Sequence, residues 1–437
     1  MKKTDKYIII PPCSDYNRGD QALVWETMRF AKDADFIGDF YFMAEKKEPV
    51  NQSKDIGLKP ITPILEHPSR KFSKADNINM NWKLKLKWGS LSIIDFIWSF
   101  FMLTFCRNII SYFMSEEKKE TYKLFKEAKA IFVKGGGFIH SYGGITAPYY
   151  IYFQLFHIYL ALSLKKDVYI CPNSFGPFHG IGVKWMVKRV FKKTKFVYAR
   201  ESRSNKMCKT ELGIDIPVSP DFGFYLTNKG TITKEEFLKK HKIPNNRKLV
   251  AITARPHRFP HSENPELSYT EFKNNIKDFS IWLYKNNYFP VFIEHVYAVN
   301  NHEDDDVCLT DIIKELAPNT FVYFQDRKLN CSELKNIYGF FDYIVGTRFH
   351  SMIFSMANHV PGIAITYVGN KGEGIMENMG LEDFYIPIDK VSIQVLIKKF
   401  NYLIENEKKV LDKINTYLNN SRRKREELIN FIKNEKD

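Results

Sequence analysis

The chain of 437 residues is 44% hydrophobic and 26% charged, so it is long enough for two or three cores and is not a disordered polymer. Its formal net charge of +15 favours an anionic partner, such as a phosphorylated substrate, a nucleic acid or an acidic membrane surface. Six scattered cysteines, without a CxxC pair or metal-ligand spacing, predict free thiols in a reducing compartment and argue against a disulfide framework or a metal site.

The first half of the chain alternates short apolar runs with longer amphipathic stretches, a pattern typical of βα units and a parallel sheet. Its first apolar run is short and ends at a proline pair, so it does not resemble a signal peptide, and the sequence predicts a cytoplasmic protein. The predicted strands are Tyr7–Ile10, Phe40–Met43, Ala130–Lys134, Val168–Cys171 and Phe196–Ala199. The predicted helices are Asp20–Lys32, Pro148–Lys165, Gly182–Lys193 and Glu201–Leu212.

One segment, residues 83–114, interrupts this alternation. It begins with Lys83, Lys85 and Lys87 and continues as a run rich in Phe, Ile and Trp. Its most apolar part is interrupted by Asp95 and is shorter than the roughly 20 residues of a membrane-spanning helix. Two interpretations remain open. The segment is either a buried helix or helical hairpin packed on the first lobe, or a monotopic element with aromatic side chains in the membrane interface and lysines near lipid phosphates.

The pattern restarts after a polar stretch at residues 227–247, which is the predicted connection between domains. The predicted strands of this half are Leu249–Thr253, Phe289–Ile293, Thr320–Phe324, Tyr343–Gly346 and Ile363–Tyr367. The predicted helices are Tyr269–Asn287, Asp304–Leu316, Ser332–Phe341 and Phe349–Asn358, followed by one long or two shorter helices from Ser392 to Asp437.

The order of elements predicts an α/β fold with two doubly wound, Rossmann-like lobes that face a central cleft. The predicted N-terminal lobe spans residues 1–228 and carries the aromatic and basic insertion at about residues 46–118. The predicted C-terminal lobe spans residues 229–390, and a helical tail spans residues 391–437.

Residues that can bind anions or move protons follow the predicted strands, where ligand sites of open α/β sheets collect. The first group lies in the NRGDQ segment, between the first strand and the first helix. Asn17 or Asp20 can cap that helix, and Gly19 permits a tight turn. A purely structural capped turn and a role in the cleft are equally compatible with this pattern.

The second group, in the KGGGFIH segment, holds Gly135, Gly136 and Gly137 and ends at His140. Three successive glycines let the backbone approach a ligand and offer N–H groups to an anion. The spacing is neither a dinucleotide fingerprint nor a Walker loop. Glycine clusters also serve plain tight turns, so the segment alone is only moderately specific.

The third and fourth groups contain Ser174, in NSFGP, and Arg200, in YARES. Arg200 lies where a predicted strand meets a helix, so its guanidinium can reach the cleft and bind a carboxylate or phosphate with two N–H groups. The alternative is a structural ion pair with Glu201 or Asp221.

The last two groups follow strands of the second half. In GTRFHS, Arg348 and His350 are two residues apart, so an extended or turn backbone would place them on the same side. Histidine is the side chain best matched to proton transfer near neutral pH. Lys371, in the GNKGEG segment, is a glycine-flanked cation suited to a phosphate at a helix N-terminus.

Taken in order, these segments resemble the polysaccharide pyruvyl transferase family. The resemblance runs from about Asn17 to Tyr385, with residues 46–118 as an insertion, and GTRFHSMIFSMANHVPG is its strongest single match. It implies a glycosyltransferase-B-like fold, phosphoenolpyruvate as the donor, a saccharide acceptor such as a precursor of a cell-envelope exopolysaccharide, and neither a metal nor an organic cofactor. The linkage that such enzymes usually form is a cyclic ketal across two sugar hydroxyls.

By similarity, Arg200, Arg348 and Lys371 hold the phosphate and carboxylate of the donor, and His350 is the acid/base. The physical logic agrees, because phosphoenolpyruvate carries close to three negative charges and a water-poor site needs several fixed cations to hold it. The remaining candidates for substrate contact are Asn17, Gly19, Asp20, Gly135, Gly136, Gly137, His140 and Ser174.

Two rival hypotheses remain. A glycosyltransferase with a nucleotide-sugar donor would bind ribose through Glu373 and pyrophosphate through Arg348 and Lys371, since a fold does not fix a function. A non-catalytic binder would use the basic residues between Lys184 and Lys195, but no nucleic-acid motif accompanies them, so no nucleic-acid partner is expected. A lipid-linked acceptor is compatible with the first assignment and would place the enzyme as a peripheral protein at the inner face of the cytoplasmic membrane.

Overall fold

The computed structural model describes residues 4–45, 49–66, 82–298, 303–367 and 371–435, without the side chains of residues 82–86 and 371. The described chain forms two compact units. The first comprises Met1–Asp15, Leu23–Asp221 and Leu428–Asp437, and the second comprises Tyr16–Ala22 and Phe222–Glu427. The units therefore differ from a linear division in two places, because a short N-terminal segment belongs to the second unit and the C-terminal end belongs to the first.

Thirteen strands and sixteen α-helices are defined among the described residues. The strands are β1 Lys6–Cys13, β2 Asp39–Ala44, β3 Lys59–Ile61, β4 Ala130–Val133, β5 Gly136–Tyr142, β6 Asp167–His179, β7 Phe196–Ala199, β8 Lys248–Thr253, β9 Tyr288–Ile293, β10 Val322–Phe324, β11 Tyr343–Gly346, β12 Gly362–Thr366 and β13 Tyr385–Pro387. The helices are α1 Arg18–Asp33, α2 Asn51–Asp55, α3 Trp82–Met102, α4 Arg107–Tyr112, α5 Glu116–Glu127, α6 Ala147–Ser163, α7 Val183–Phe191, α8 Ser202–Leu212, α9 Lys234–Lys240, α10 Pro265–Lys285, α11 Asp305–Ile313, α12 Cys331–Tyr338, α13 Phe349–Met356, α14 Lys371–Asn378, α15 Ile393–Glu405 and α16 Glu407–Asn434.

The first unit is built on a parallel sheet with the strand order β3-β2-β1-β4-β6-β5, and β7 also pairs with β6. β1 is central, since Ile8 pairs with Tyr41 of β2 on one side and with Ile131 of β4 on the other. All four residues of β4, AIFV, are buried, as expected for a parallel strand covered on both faces by helices. The chain reverses its direction of winding between β1 and β4, which creates a switch point there.

The second unit holds a parallel sheet with the order β10-β9-β8-β11-β12-β13. Numbered within the unit, this is the order 3-2-1-4-5-6 of the Rossmann fold. Ile252 of β8 pairs with Val345 of β11, which in turn pairs with Ile363 of β12. The switch point of this sheet lies between β8 and β11. The predicted doubly wound architecture of each lobe is therefore confirmed.

The predicted strands and helices are present with ends that differ by a few residues, and Phe196–Ala199 and Tyr343–Gly346 coincide with β7 and β11. One prediction was wrong. The NSFGP segment was expected to follow a strand that ends at Cys171, but β6 continues to His179. Gly176 has a φ of +74°, and register shifts accompany the pairing of β5 with β6. The strand therefore continues through an irregularity that resembles a turn in the sequence.

The predicted connection at residues 227–247 lies within the second unit and contains α9. This helix starts with a capping box in which Thr233 and Glu236 bond reciprocally through side chain and backbone, an arrangement that fixes a helix N-terminus. The predicted insertion at residues 46–118 contains α2, β3, α3, α4 and the start of α5. None of the described helices combines the length and hydropathy that a bilayer span requires.

Candidate functional site

Three neighbouring strands of the second sheet carry polar side chains at their carboxyl ends, on both sides of the switch point. Arg255 follows β8, Arg348 follows β11 and Tyr367 follows β12. The two strands at the switch point are tied together here, because the amide of Thr347 donates to the carbonyl of Thr253 at 2.9 Å. Ligands of doubly wound sheets bind outside the strand ends at such a point, so this edge is the candidate site of the second unit.

Arg348 is buried and is held in place by two acceptors. Its Nε donates to Asp305 Oδ1 at 2.7 Å, and its Nη2 donates to the carbonyl of Glu303. Asp305 Oδ2 accepts the amides of His295 (3.1 Å) and Val296 (3.0 Å). Burial raises the pKa of Asp305 above its ordinary value, and the charge of Arg348 opposes that rise. Nη1 of the oriented guanidinium takes part in neither bond, so this end is suited to a carboxylate or phosphate.

His350 is buried in the first turn of α13, two residues after Arg348. The backbone is helical here, so the expectation that Arg348 and His350 share a side because of an extended or turn backbone does not apply. Gly19 instead contacts the imidazole closely, since a Cβ at Gly19 would lie 2.1 Å from His350 Nδ1. The structure thus brings together the first and fifth predicted groups within the second unit.

The NRGDQ segment begins α1 with reciprocal hydrogen bonds. Asn17 Oδ1 accepts the amide of Asp20 at 3.1 Å, and Asn17 Nδ2 donates to Asp20 Oδ2 at 3.0 Å. Arg18 Nη2 donates to the carbonyl of Arg327 at 2.8 Å. The predicted helix cap is confirmed, and it holds Gly19 against the imidazole of His350.

Arg255 and Tyr367 were missed as candidates from the sequence. Arg255 Nη1 donates to Tyr367 Oη at 2.8 Å, and its guanidinium lies 4.7 Å from the centre of the Tyr367 ring. Burial raises the pKa of the Tyr367 phenol, but the charges of Arg255 and Arg348 outweigh burial and lower that pKa below its ordinary value. The available signal was position, because Arg255 directly follows a predicted strand as Arg348 does.

His257 extends this group. Its ring centre lies 5.8 Å from that of Tyr367 and 4.8 Å from that of Phe259. Burial, together with the charge of Arg255, lowers the pKa of His257 below its ordinary value. The imidazole is therefore neutral at pH 7 and can accept or donate a hydrogen bond without adding charge.

A carboxyl group near the same edge is buried with one distant cation beside it. Glu294 follows β9 and is 0% exposed, and its Oε1 lies 3.7 Å from Arg327 Nη2. Neither carboxyl oxygen has a hydrogen-bond partner among the described residues. Burial raises the pKa of Glu294 to about 9, with a further rise from Asp304. Glu294 is therefore protonated at neutral pH.

Lys371 is the first residue of α14, and its side chain lies outside the described part of the chain. Residues 368–370, which include the start of the GNKGEG segment, also lie outside it. Glu373 is described, and Thr366 Oγ1 donates to its Oε1 at 3.2 Å. The predicted phosphate contact of Lys371 therefore stays a prediction.

The first unit brings together the second, third and fourth predicted groups at the carboxyl edge of its own sheet. Arg200 is fully buried, with Nε donating to Ser174 Oγ and Nη1 to Asp221 Oδ2, both at 2.7 Å. The ion pair with Asp221 is the structural alternative considered above. Arg200 Nη2 has no hydrogen-bond partner among the described residues. A Cβ at Gly137 would lie only 3.2 Å from this nitrogen.

Two acid/base groups lie close to Arg200 and the glycine run. Ser174 Oγ also donates to Glu201 Oε2 at 3.2 Å, and burial raises the pKa of Glu201 to about 7. His140 Nδ1 lies 2.9 Å from the carbonyl of Gly137, and burial lowers the pKa of His140. The first unit therefore offers the buried cation Arg200, with an imidazole and a carboxyl group that both titrate near or below neutral pH.

The three glycines have different local roles. Gly135 is needed for packing, since a Cβ there would lie 3.0 Å from the carbonyl of Pro172 and 3.1 Å from Leu23. Gly136 begins β5 with a φ of +158°. Gly137 lies beside Arg200, as described above. The run therefore opens a strand, and only Gly137 contacts the candidate anion-binding group.

Comparisons with known proteins agree with this arrangement. The family model described as polysaccharide pyruvyl transferase matches residues 17–370. The amylovoran biosynthesis protein AmsJ of Erwinia amylovora is 24% identical over 298 residues, which are 66% of this chain and 68% of AmsJ.

Solved structures share the fold. A glycosyltransferase from Rickettsia africae ESF-5 has a TM-score of 0.51 at 13% identity, with 98% of each chain covered. Anabaena Alr3699/HepE in complex with UDP and glucose has a TM-score of 0.54 at 9% identity, with 98% of this chain and 99% of that chain covered. These likenesses establish two Rossmann-like lobes of the glycosyltransferase-B type and nothing about the donor. The match over residues 17–370 spans every predicted group up to GTRFHS, and the chain therefore belongs to the polysaccharide pyruvyl transferase family, whose members are transferases.

Proposed function

We propose that this enzyme transfers the pyruvyl group of phosphoenolpyruvate to two hydroxyls of a saccharide, forming a cyclic ketal and releasing phosphate. The observation that carries the proposal is the pair Arg255 and Arg348 at the switch point of the second sheet, with Tyr367 hydrogen-bonded to Arg255. The family membership supplies the reaction class, and the cations account for a small, highly charged donor.

Donor binding follows from charge and orientation. Phosphoenolpyruvate carries close to three negative charges, and Arg255 and Arg348 are two fixed cations at one sheet edge. Asp305 orients Arg348 through a 2.7 Å bond, so little side-chain entropy is lost when a ligand binds. We assign Lys371 as a third cation from its place at the start of α14. Arg200 is assigned to an anionic substrate group through Nη2.

The chemical steps need one proton donor and one acceptor. A proton adds to C3 of the enol while the first sugar hydroxyl forms a bond to C2 and loses its own proton. The second hydroxyl then bonds to C2, the bond between C2 and the phosphate oxygen breaks, and the departing phosphate takes up the proton of that hydroxyl. We assign His350 as the acid/base for proton transfer to C3. Such general acid–base catalysis contributes about 10²–10⁴ in rate.

Tyr367 is a candidate for the second proton carrier. A phenol with a lowered pKa, hydrogen-bonded to Arg255, can accept the proton of an attacking hydroxyl more readily than an ordinary tyrosine. This assignment adds a second group to the sequence-based hypothesis, in which His350 is the acid/base.

The nucleotide-sugar hypothesis remains the alternative, since a shared fold does not fix the donor. Thermal shift distinguishes the two donors. We expect phosphoenolpyruvate to raise the melting temperature and UDP- or GDP-sugars to leave it unchanged, because ligands that bind only the folded state stabilise it. The shift should disappear in Arg348→Gln and Arg255→Gln. It should persist in Arg258→Gln, which alters an exposed arginine three residues from Arg255.

A shift with a nucleotide sugar and none with phosphoenolpyruvate would overturn the proposal in favour of the alternative. The reaction itself is checked by incubating the protein with phosphoenolpyruvate and a panel of free and lipid-linked saccharides. Phosphate release should match the mass gain of a pyruvyl ketal on the acceptor.

Gly19→Ala tests the packing of the imidazole. The new Cβ would overlap His350 Nδ1, so the ring has to move. We expect phosphate release to fall by about 10²-fold, since a displacement of about 1 Å at a reacting group has that effect. Gly230→Ala is the matched control, because its nearest neighbour, Asn336, lies at an ordinary 3.6 Å. Equal rates in the two variants would contradict the assigned role of His350.

A further inference from the structure

The first unit carries a large exposed apolar surface on α3, α4 and the residues that follow each helix. We call it the insertion surface. Its members are Ile93, Ile94, Phe96, Ile97, Phe100, Phe101, Phe105, Ile109, Tyr112 and Phe113. Ile93 is 61% exposed, Phe105 is 92% exposed and Phe113 is 80% exposed. Contiguous apolar surface of this extent marks a contact with another molecule or a membrane.

Two polar residues of α3 face the protein interior, whereas the polar residues of a water-exposed helix face the solvent. Asp95 is 1% exposed and its Oδ1 accepts from Trp98 Nε1 at 3.0 Å. Ser99 is 0% exposed and its Oγ lies 2.9 Å from Tyr152 Oη. Surface helices of proteins in water bury their apolar stripe and expose their polar one. From Ile93 onward this helix buries its polar residues Asp95 and Ser99 and exposes Ile and Phe, which indicates an apolar environment outside.

The orientation of α3 follows from its contacts with α6. Phe96 packs against Tyr152 (ring centres 4.8 Å apart) and Trp98 against Phe156 (6.3 Å). Arg107 Nη1 donates to the carbonyl of Ser163 at 3.0 Å. The two helices therefore run in the same direction, and the lysine-bearing start of α3 lies toward the start of α6.

More exposed apolar residues adjoin the start of α6. Ile145, 99% exposed, lies just before this helix. Ile181 lies just before α7, and Trp185 lies within it. A Cβ at Gly180 would be 2.6 Å from that of Ala147, so the Ile181 loop contacts the start of α6. The guanidinium of Arg189 lies 5.3 Å from the Trp185 ring. Tryptophan with nearby basic residues is typical of the membrane–water interface.

The charge distribution indicates which kind of molecule contacts the insertion surface. Residues 82–114 contain Lys83, Lys85, Lys87 and Arg107, and their only acidic residue is the buried Asp95. The side chains of the first two lysines lie outside the described residues. α7 adds further cations, Lys184, Lys188 and Arg189. A second copy of this face would bring like charges together, whereas anionic lipid headgroups complement them.

We propose that the insertion surface is a monotopic membrane anchor that rests on an anionic bilayer, with its Ile and Phe side chains in the interface. None of the described helices can span a bilayer, so the helices lie in the plane of the membrane. Resting on the proposed function, this surface implies a lipid-linked saccharide acceptor. β5, which carries His140, leads through residues 143–146 into α6, the helix on which α3 packs.

Vesicle flotation of the full chain tests the anchor without any substrate. We expect the protein to float with vesicles of phosphatidylcholine and phosphatidylglycerol, to float less with phosphatidylcholine alone, and to be released by salt, since headgroup attraction is screened. Ile97→Ser combined with Phe101→Ser should reduce flotation at least about tenfold, because each removes apolar surface from the interface. Ile37→Ser, at a residue that is 79% exposed elsewhere in the first unit, is the matched control and should float like the wild type.

Phosphate release with a free saccharide separates the two proposals, because the double variant should retain that activity while losing the preference for a lipid-linked acceptor. Failure of the wild type to float, or equal flotation of the double variant, would overturn the anchor and leave the proposed reaction untouched. A concentration-dependent dimer that the double variant abolishes, without flotation of the wild type, would identify a second copy as the occupant instead.

Discussion

Alanine in place of His350 is expected to lower turnover by about 10²–10⁴-fold, the contribution of a positioned general acid or base. The imidazole lies in the first turn of α13, one residue beyond the phenylalanine that follows Arg348, and Gly19 contacts one of its faces. Arg255 and Arg348, the cations proposed to bind the donor, remain in the variant. We therefore expect the thermal shift with phosphoenolpyruvate to persist while kcat falls and KM changes little.

The matched control is His359→Asn in the same unit. His359 is exposed and has a φ of +61°, a conformation that asparagine tolerates. The His359→Asn variant should retain wild-type turnover. Wild-type turnover in His350→Ala as well would refute the assigned role, and a lost thermal shift in that variant would identify His350 as a donor ligand instead.

Glutamine in place of Glu294 is expected to remove a large pH dependence of stability. The folded-state pKa of Glu294 is about 9, against 4.5 for an ordinary glutamate. Below pH 4.5 both the folded and unfolded states hold the proton. As the pH rises from 4.5 toward 9 the unfolded state ionises first, so the free energy of unfolding falls, and above 9 it changes no further on this account.

Each pKa unit corresponds to about 1.36 kcal/mol. We expect Glu294→Gln to exceed the wild type by about 2–4 kcal/mol in unfolding free energy at pH 8, and to match it near pH 4.5. Denaturant unfolding across this pH range measures the difference in unfolding free energy between the two proteins. The contributions of all other titrating groups cancel in this difference. Glu263→Gln, at an exposed glutamate of the same unit, should follow the wild type at every pH. Parallel profiles of Glu294→Gln and wild type would contradict the burial of an ionisable carboxyl at this position.

The local pattern of the chain predicted most of the fold, because a parallel strand buried on both faces, such as the AIFV of β4, is a continuous apolar run in the sequence. Helices with one buried face, such as α8, are recognised from the sequence equally well. Short edge strands such as β3 and β13 were not predicted, since three residues provide too little pattern. β6 was underestimated because Gly176 and Pro177 resemble a turn, although the strand continues through them.

The candidate site was predicted in parts. Arg200 and Arg348 follow the ends of β7 and β11 as expected, and His350 lies in the helix after β11, whereas Ser174 lies within β6. What the sequence could not provide was contact between distant segments, since Arg18 bonds to a residue 309 positions away and Gln21 to one 310 positions away. Pairing of this kind depends on packing that no local pattern records. Arg255 was overlooked for a simpler reason, because a single arginine beside a proline carries no motif.

The assignment of Tyr16–Ala22 to the second unit also limits how this protein can be dissected. Residues 222–427 expressed by themselves would contain Arg348 and His350 but not Gly19, and the buried amide of Cys331 would lose Gln21 Oε1, which accepts it at 2.7 Å. A half-gene product therefore cannot reproduce the environment of the imidazole. Circular permutants or split versions have to keep the NRGDQ peptide with the C-terminal fragment if they are to reassemble an active enzyme.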